Sequence, residues 1–240
     1  MTCVGWGLRS AIFQKNPLSF PSEVIMDRKQ HSEVNSKKNQ NSERKSEIYS
    51  KALDLFVNNG YDATSMSMIA ETLGMSKANL YYYCSSKENL LYQIHLDFLN
   101  KNYIPILDEA ERLPDAASRV ALFLRKFTLL NTSTRANRIM VHEFDRLDKN
   151  HQNEIVAIWR RTYEIVRDAI RELQRSGRAR KFRESFLTLM WMGMVFWVVY
   201  WFDYGRQTNA EELSEAIAQT FLDSLMPQAS SDVKGGQKGR

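Results

Sequence analysis

The sequence predicts an all-α protein with two helical domains. Apolar residues recur at helical spacing through most of the chain after residue 43, and no segment alternates apolar and polar residues as a half-buried strand does. The 240 residues include only five prolines and ten glycines, which favours long uninterrupted helices over a turn-rich sandwich or barrel. The hydrophobic fraction of 43% and the charged fraction of 25% are typical of a soluble globular protein.

The first segment, residues 1–40, is predicted to be a disordered extension. Residues 1–25 lack a helical period and contain prolines at 17 and 21, and the charge-mixed run that follows has no aromatic residue other than a histidine. The segment does not resemble a signal peptide, because Arg9, Lys15 and a proline interrupt it and no small-residue cleavage site follows. One hypothesis is that Met26 is the natural start, since the pattern becomes regular only beyond it.

Residues 41–90 are predicted to form a compact domain of three helices. The first helix begins near Glu43 and carries one apolar stripe at spacings i, i+4, i+7 and i+8, formed by Ile48, Ala52, Leu55 and Phe56. Gly60 ends this helix, because glycine readily takes the left-handed conformation found at helix C-termini. The second helix begins at Thr64 or Ser65, which are both good N-caps, and ends at Gly74.

The third helix is short and follows a tight turn. Ser76 caps it, and it is predicted over 77–84. A compact unit of this kind holds a short helix out from the body of the domain, where it can enter the major groove of DNA. A long fourth helix begins at Lys87 and is bent or ended by Pro105. Within a second domain, residues 91–226, helices are predicted over 115–131, 135–148, 151–176, 183–204 and 210–225, and the tail over 227–240 is predicted to be disordered.

The third helix is predicted to have one buried face and one face available to DNA. Counting about 100° per residue places Leu80 and Cys84 together toward the core, opposite Ala78, Asn79 and Tyr82. An asparagine can hydrogen-bond a base edge, with adenine as its best match, while hydroxyls and lysines suit phosphates. Alternatively, the tyrosines pack and the serines only cap, but three consecutive tyrosines cannot all face inward. The predicted DNA contacts are Thr64, Ser65, Ser76, Lys77, Ala78, Asn79, Tyr81, Tyr82, Tyr83 and Lys87.

Residues 44–94 resemble the DNA-binding domain of the TetR family of repressors. The resemblance lies in Gly60-Tyr61, Thr64-Ser65-Met66, Ile69-Ala70, Gly74-Met75-Ser76-Lys77, Leu80-Tyr81-Tyr82-Tyr83, and Ser86-Lys87-Glu88 with Leu90. It implies a three-helix helix-turn-helix domain, a C-terminal helical ligand-binding and dimerisation domain, and binding to a palindromic double-stranded DNA operator. Cys84 departs from the phenylalanine usual in the family. We interpret it as a tolerated core substitution rather than a redox switch.

The segment 183–204 is apolar on almost every side, which has two interpretations. A membrane span is the first, although 17 apolar residues interrupted by Thr188 and Gly193, without basic anchors, are marginal for it. The second is a helix buried on both faces, with one face in the core and the other against the same helix of a second subunit. The family resemblance implies the second, and therefore predicts a homodimer through helices 183–204 and 210–225 and no membrane association.

The second domain contains residues that could line a large apolar pocket. The predicted ligand-binding residues are Phe123, Phe127, His142, Phe144, Trp159, Met194 and Trp197, and ordinary core packing is the alternative for each of them. The stretch 142–147, with Trp201-Phe202 and 211–213, resembles the TetR branch that responds to acyl-CoA thioesters. This resemblance implies an acyl-CoA effector, whose phosphates could be bound by Arg135, Arg138, Arg160 and Arg161.

The residue inventory disfavours an enzyme. The four histidines show no metal-ligand spacing or paired carboxylate, and no phosphate-binding glycine loop is present, so we predict no catalytic residue, no metal and no cofactor other than an effector. Two distant cysteines indicate a reducing compartment, the cytoplasm. The predicted function is a ligand-responsive transcriptional repressor. The alternatives are a ligand-independent dimeric DNA-binding protein and a membrane-associated helical protein.

Overall fold

The computed structural model describes residues 22–133, 136–202 and 209–226, with side chains from residue 39 onward except those of residues 136 and 138. In these ranges the chain forms helices and connecting turns without any strand, which confirms the all-α prediction. The first four helices are α1 (Ser22–Asn59), α2 (Met66–Thr72), α3 (Lys77–Tyr83) and α4 (Lys87–Phe98).

A π-helical turn (Leu99–Tyr103) connects α4 to the remaining helices. These are α5 (Ile104–Arg112), α6 (Ala116–Ser133), α7 (Ala136–His142), α8 (Lys149–Arg175), α9 (Glu184–Trp201) and α10 (Ala210–Leu225). Pro105 lies in the first turn of α5, where its missing N–H is tolerated, and it interrupts the fourth helix as predicted. The predicted helix 135–148 is divided, because α7 ends at His142 and a single 3₁₀ turn, Phe144–Arg146, follows.

The first helix is longer than the sequence pattern predicts. The chain divides into two compact units, residues 1–44 and 45–240, and the described part of the first unit is helical from Ser22. The disorder predicted over residues 22–40 is therefore corrected to helix. The segment has no proline or glycine and is rich in Lys, Glu, Gln and Arg, which are good helix formers, but it lacks the apolar stripe used to recognise a helix. The predictions for residues 1–21 and 227–240 fall outside the described residues.

The second unit has one continuous core. In its N-terminal part, α1, α2 and α3 bury Ile48, Phe56, Ile69 and Leu80. Further along, α6 packs against α8, α9 and α10, and buried aromatic rings from α6 and α9 meet there. The predicted domain boundary at 90/91 falls inside α4, where both flanking leucines are fully buried. That boundary stays a prediction, and the apolar side chains of α4 contribute to one core shared by both regions.

Helix α9 is apolar on two faces with different surroundings. One face contributes Leu187, Trp191, Val195 and Val199 to the core. The opposite face carries five large apolar side chains that are 57–74% exposed, namely Phe186, Leu189, Met190, Trp197 and Trp201. Of the helices described here, α9 is the one long and apolar enough to cross a membrane by length and composition.

Candidate nucleic-acid interface and ligand cavity

Helix α3 begins directly after a tight turn. Gly74 takes a left-handed conformation with φ of 61°, which allows the next residue, Met75, to donate its N–H to the carbonyl of Ala70 at 3.0 Å. Ser76 then caps α3, its Oγ accepting the backbone N–H of Asn79 at 3.1 Å. Leu80 and Cys84 are buried beneath the helix, as the helical count predicts. The helix is thereby fixed at its start and from below.

The outer face of α3 is exposed and free of acidic residues. Lys77, Ala78 and Asn79 are all exposed, and Tyr82 is the most exposed of the tyrosines at 80%. Tyr81 is also exposed, whereas Tyr83 is half-buried and packs edge-to-face on Tyr82 with ring centroids 5.3 Å apart. This face therefore presents a methyl group, an amide, phenols and an ammonium, which are suitable groups for base edges and phosphates.

Two predicted DNA contacts have other partners in the structure. Thr64 is only 1% exposed, and its hydroxyl donates to the carbonyl of Gly60 at 2.8 Å, so it is not available to a phosphate. Lys87 Nζ donates to the carbonyls of Tyr61 at 2.6 Å and Thr64 at 2.8 Å, and lies 4.2 Å from the centre of the Tyr61 ring. Lys87 thus fastens the turn before α2 to the start of α4. These contacts disfavour both assignments, which stay predictions.

The remaining predicted contacts at helix starts are caps with exposed hydroxyls. Ser65 Oγ accepts the N–H of Met68 at 3.2 Å, in the same way that Ser76 caps α3. A capping hydroxyl uses its oxygen as an acceptor and keeps its proton for another bond. The interpretation of these serines as caps is therefore correct, and it leaves a role in phosphate binding as a proposal for both.

Several contacts join the N-terminal helices to α8 and the turn before it. Arg146 forms a salt bridge with Asp62 at 2.7 Å. Glu88 Oε1, in the first turn of α4, accepts the backbone N–H of Asp148 at 3.0 Å and lies 2.8 Å from His151 Nδ1. The ring of Tyr92 stacks on the His151 ring with centroids 3.6 Å apart. The carboxylate oxygens of Glu88 and Asp148 and a ring nitrogen of His151, which are atoms of the kind that can bind a metal ion, lie within 4.8 Å of one another. Hydrogen bonds among these residues connect α4 to α8.

A cavity of about 50 Å³ lies between α4, the π-helical turn, α6, α7, α8 and α9. Its described lining consists of His95, Phe98, Leu99, Tyr103, Leu130, Asn131, Asn137, Met140, Val141, Ile155, Trp159 and Phe196. On the scale where a single water needs roughly 10–15 Å³ and a benzene-binding cavity measures about 150 Å³, this is room for about four waters or a short branched chain, and a ring would extend beyond it. The cavity is therefore the candidate ligand site.

The cavity contains only one of the seven predicted ligand residues, Trp159. Phe123 and Phe127 pack on Trp191 in the core, with centroids 6.0 and 6.1 Å apart. Phe144 packs against Trp159 with ring centroids 4.9 Å apart, and Met194 packs partly buried against the core. His142 and Trp197 are exposed and both contact Tyr200. The other six stay predictions that this cavity does not support, because helical spacing identifies an apolar face but not which faces enclose a space.

The polar groups of the cavity were missed by sequence reasoning. They are His95, Tyr103, Asn131 and Asn137, and their only signal in the sequence is a polar residue on an otherwise apolar helix face. His95 Nδ1 lies 2.9 Å from the Leu91 carbonyl, Nε2 lies 2.9 Å from the Met140 carbonyl, and burial lowers the pKa of the ring. Asn131 Nδ2 donates to the Val195 carbonyl at 2.9 Å.

The arginines predicted to bind a CoA phosphate differ in their partners and in their exposure. Arg161 is engaged by α5, where it pairs with Asp108 at 2.8 Å and Glu111 at 2.7 Å. Arg160 is exposed on α8. Arg135 and the side chain of Arg138 lie outside the described residues. No arginine is among the described residues that line the cavity.

Comparison with known proteins identifies related folds and sequences. Solved structures similar to the chain include AibR in complex with isovaleryl coenzyme A and operator DNA, 24% identical over 74% of this chain and 97% of that chain, with a TM-score of 0.68. PfmR, a TetR family transcriptional regulator from Thermus thermophilus, is 26% identical over 75% and 99%, with a TM-score of 0.68. FadR from Bacillus subtilis in complex with stearoyl-CoA is 18% identical over 74% and 97%, with a TM-score of 0.62.

Sequence comparison finds family matches in both halves of the second unit. A 50-residue stretch is 44% identical to the HTH-type transcriptional regulator QacR of Staphylococcus aureus, covering 21% of this chain. The match spans about a quarter, 27%, of that relative's length. Residues 48–94 match the model for bacterial regulatory proteins of the tetR family, and residues 114–225 match the tetracyclin repressor-like C-terminal domain. The chain therefore belongs to the TetR family of bacterial regulatory proteins.

Proposed function

We propose that the chain is a transcriptional regulator that binds a palindromic DNA operator through α3. The observation that carries this proposal is the arrangement of α3, which buries Leu80 and presents Ala78, Asn79 and Tyr82 outward. Alanine allows close approach to the groove, the Asn79 amide can pair with an adenine edge, and the tyrosine hydroxyls can donate to phosphates. Family membership and the AibR complex with operator DNA support this role.

The proposed regulator is a homodimer held mainly by α9. The five exposed apolar side chains of α9 form one helix face, and an apolar face of this size is typical of an interface rather than of free surface. The exposed side of α10 is polar, with Glu212 and Gln219 among its residues, so α10 suits the rim of the interface. A two-fold dimer would place two copies of α3 about one DNA turn, or a multiple of it, apart. A palindromic site matches that symmetry.

A small-molecule effector in the cavity would regulate DNA binding through α4. The middle of α4 lines the cavity at His95, its first turn contacts α8 at Glu88, and its start holds the turn before α2 at Lys87. A ligand that binds better to a second arrangement of α4 lowers DNA affinity by as much as its preference for that arrangement. The AibR and FadR complexes with acyl-CoA support an effector of the acyl-CoA class. In this proposal the effector releases the protein from DNA, so the protein acts as a repressor, and it does so in the cytoplasm.

Selection of DNA fragments by the purified protein, followed by fluorescence anisotropy on the selected duplex, tests this function. Asn79→Ala is expected to relax sequence preference, at a cost of about 1–3 kcal/mol for the best site. Tyr82→Phe is expected to weaken binding equally on all sequences. Lys181→Ala, an exposed lysine between α8 and α9, is the control and should leave affinity unchanged.

Three outcomes would contradict the proposal. A folded sample without preference for any duplex over unrelated DNA would exclude operator recognition. A protein found only in the membrane fraction would favour the alternative of a membrane-associated helical protein, since α9 is long enough to span a bilayer. DNA binding that no compound changes would favour the ligand-independent alternative.

A further inference from the structure

The wall of the cavity carries no full charge among its described residues. It consists of apolar and aromatic side chains, two asparagines, a tyrosine and a histidine. Burial lowers the pKa of His95, so the ring is neutral near pH 7. A carboxylate or a phosphate entering this space would lose its hydration without gaining a counter-charge from these described residues, which is strongly unfavourable. The ligand group inside the cavity should therefore be uncharged.

The same wall has more hydrogen-bond acceptors than donors. Asn137 is only 3% exposed, and its Nδ2 donates to the Leu130 carbonyl. Its Oδ1 is buried and has no hydrogen-bond partner in the part of the chain that the structure describes. A buried acceptor without a donor costs free energy, so this oxygen is a point at which a donor would be gained.

His95 adds to this excess of acceptors. Both of its ring nitrogens face carbonyl oxygens at 2.9 Å, on Leu91 and on Met140. A neutral imidazole has a single N–H, so only one of these carbonyls can receive a hydrogen bond from the ring. Met140 lies one helical turn after Asn137, and both residues line the cavity from α7. The acceptor shown without any donor among the described residues is therefore Asn137 Oδ1, on the surface that α7 presents.

We propose that the cavity binds an uncharged, largely apolar ligand group that presents an O–H or N–H donor to Asn137 Oδ1. The proposal rests on the function proposed above and specifies its effector. A hydroxylated hydrocarbon ring or chain supplies this donor directly, and the pantetheine amides of an acyl-CoA supply it through N–H. In either case the bond is made to α7, beside the Met140 carbonyl that faces His95 of α4.

Matched ligands test the proposal on the full-length protein by isothermal titration calorimetry. The probes are 4-ethylphenol, which has a donor, 4-ethylanisole, which lacks one, 4-ethylbenzoate, which is anionic, and isovaleryl-CoA. One hydrogen bond of ordinary strength corresponds to a preference of roughly five- to tenfold for 4-ethylphenol over 4-ethylanisole. The 4-ethylbenzoate anion should bind more weakly than both. If isovaleryl-CoA is the one probe that binds, and if its affinity depends on Asn137, the pantetheine amide is the donor.

Two buried-amide variants locate the donor site. Asn137→Leu should reduce the preference for 4-ethylphenol, or the affinity for isovaleryl-CoA, by about the same five- to tenfold. Asn131→Leu is the matched control, because it also removes a lining amide but one whose Nδ2 is bonded to Val195, and it should keep the preference. If either variant fails to fold, the ratio of the wild-type affinities for 4-ethylphenol and 4-ethylanisole still tests the proposal.

Several results would overturn the proposal. These are equal binding of 4-ethylphenol and 4-ethylanisole, tightest binding of 4-ethylbenzoate, a preference that survives in Asn137→Leu, or no binding of either donor-bearing probe. DNA binding is measured on the same preparations without ligand. Retained operator binding together with any of these results would remove this inference and leave DNA recognition by α3 standing.

Discussion

Substitution of Lys87 by methionine distinguishes support of the turn before α2 from contact with DNA. Methionine keeps the apolar length of the side chain and removes the ammonium. In the structure that ammonium donates to the carbonyls of Tyr61 at 2.6 Å and Thr64 at 2.8 Å. We therefore expect Lys87→Met to lower the free energy of unfolding. A phosphate contact would instead leave stability nearly unchanged.

The size of the effect follows from these contacts. A hydrogen bond from a charged donor contributes about 1.5–3 kcal/mol, and a cation above an aromatic ring adds about 0.5–1 kcal/mol at an accessible site. The Lys87 ammonium is half-buried and the turn is near the surface, so water replaces part of what is lost. A net decrease of about 2–3 kcal/mol in the free energy of unfolding is expected.

Urea unfolding and the salt dependence of DNA binding measure the two roles separately. Each phosphate contact contributes about 0.9 to the slope of log affinity against log salt concentration. Lys77→Met is the matched control, because Lys77 is exposed at the start of α3, and it should lower the slope by about one per half-site without changing stability. Lys87→Met should lower the free energy of unfolding and leave the slope unchanged. Unchanged stability with a slope lowered by about one per half-site would refute our assignment of Lys87.

Three further predictions concern other regions. Met190→Arg or Trp197→Arg should convert the dimer to monomers in sedimentation velocity and weaken DNA binding, because each places a charge in the apolar face of α9. Burial raises the pKa of Cys84 to about 11, so peptide mass spectrometry after iodoacetamide treatment at pH 8 should show slow alkylation unless urea is added; rapid alkylation in the native protein would contradict its burial. The hydrogen bond from Arg178 lowers the pKa of Asp115 from 3.8 to about 2, so Asp115 contributes stability above about pH 4 that is lost as the pH falls toward 2. Asp115→Asn should therefore destabilise the protein at pH 7 in urea melts, by an amount that shrinks across this window.

The features that the sequence predicted well depend on neighbouring residues. Ser76 and Gly74 define the start of α3 through bonds spanning three residues, and the helical count from Lys77 correctly buries Leu80. Pro105 lies in the first turn of α5, where a proline is tolerated because of its own missing N–H. Signals of this kind are contained in a few consecutive residues, so they can be read without knowledge of the tertiary structure.

The features that the structure places differently from the prediction depend on distant residues. Lys87 binds carbonyls 26 and 23 positions earlier in the chain, and a lysine at a helix start has the same appearance in the sequence whether it binds a phosphate or a carbonyl. The cavity is enclosed by five helices and the π-helical turn, so its lining depends on how they pack. Aromatic residues at helical spacing indicated several apolar faces, and only Trp159 among those chosen reaches the cavity.

Helix α4 can connect the two proposed binding sites without any separate signalling element. Lys87 holds the turn before the helix-turn-helix, Glu88 contacts α8, and His95 faces both the cavity and Met140 of α7. A tenfold change in DNA affinity requires a differential ligand affinity of about 1.4 kcal/mol between two arrangements of α4. One ordinary hydrogen bond, such as the one proposed at Asn137, is of about that magnitude. The few polar contacts around α4 are thus sufficient in energy for tenfold regulation, whereas a hundredfold response would need about two such contacts to change together.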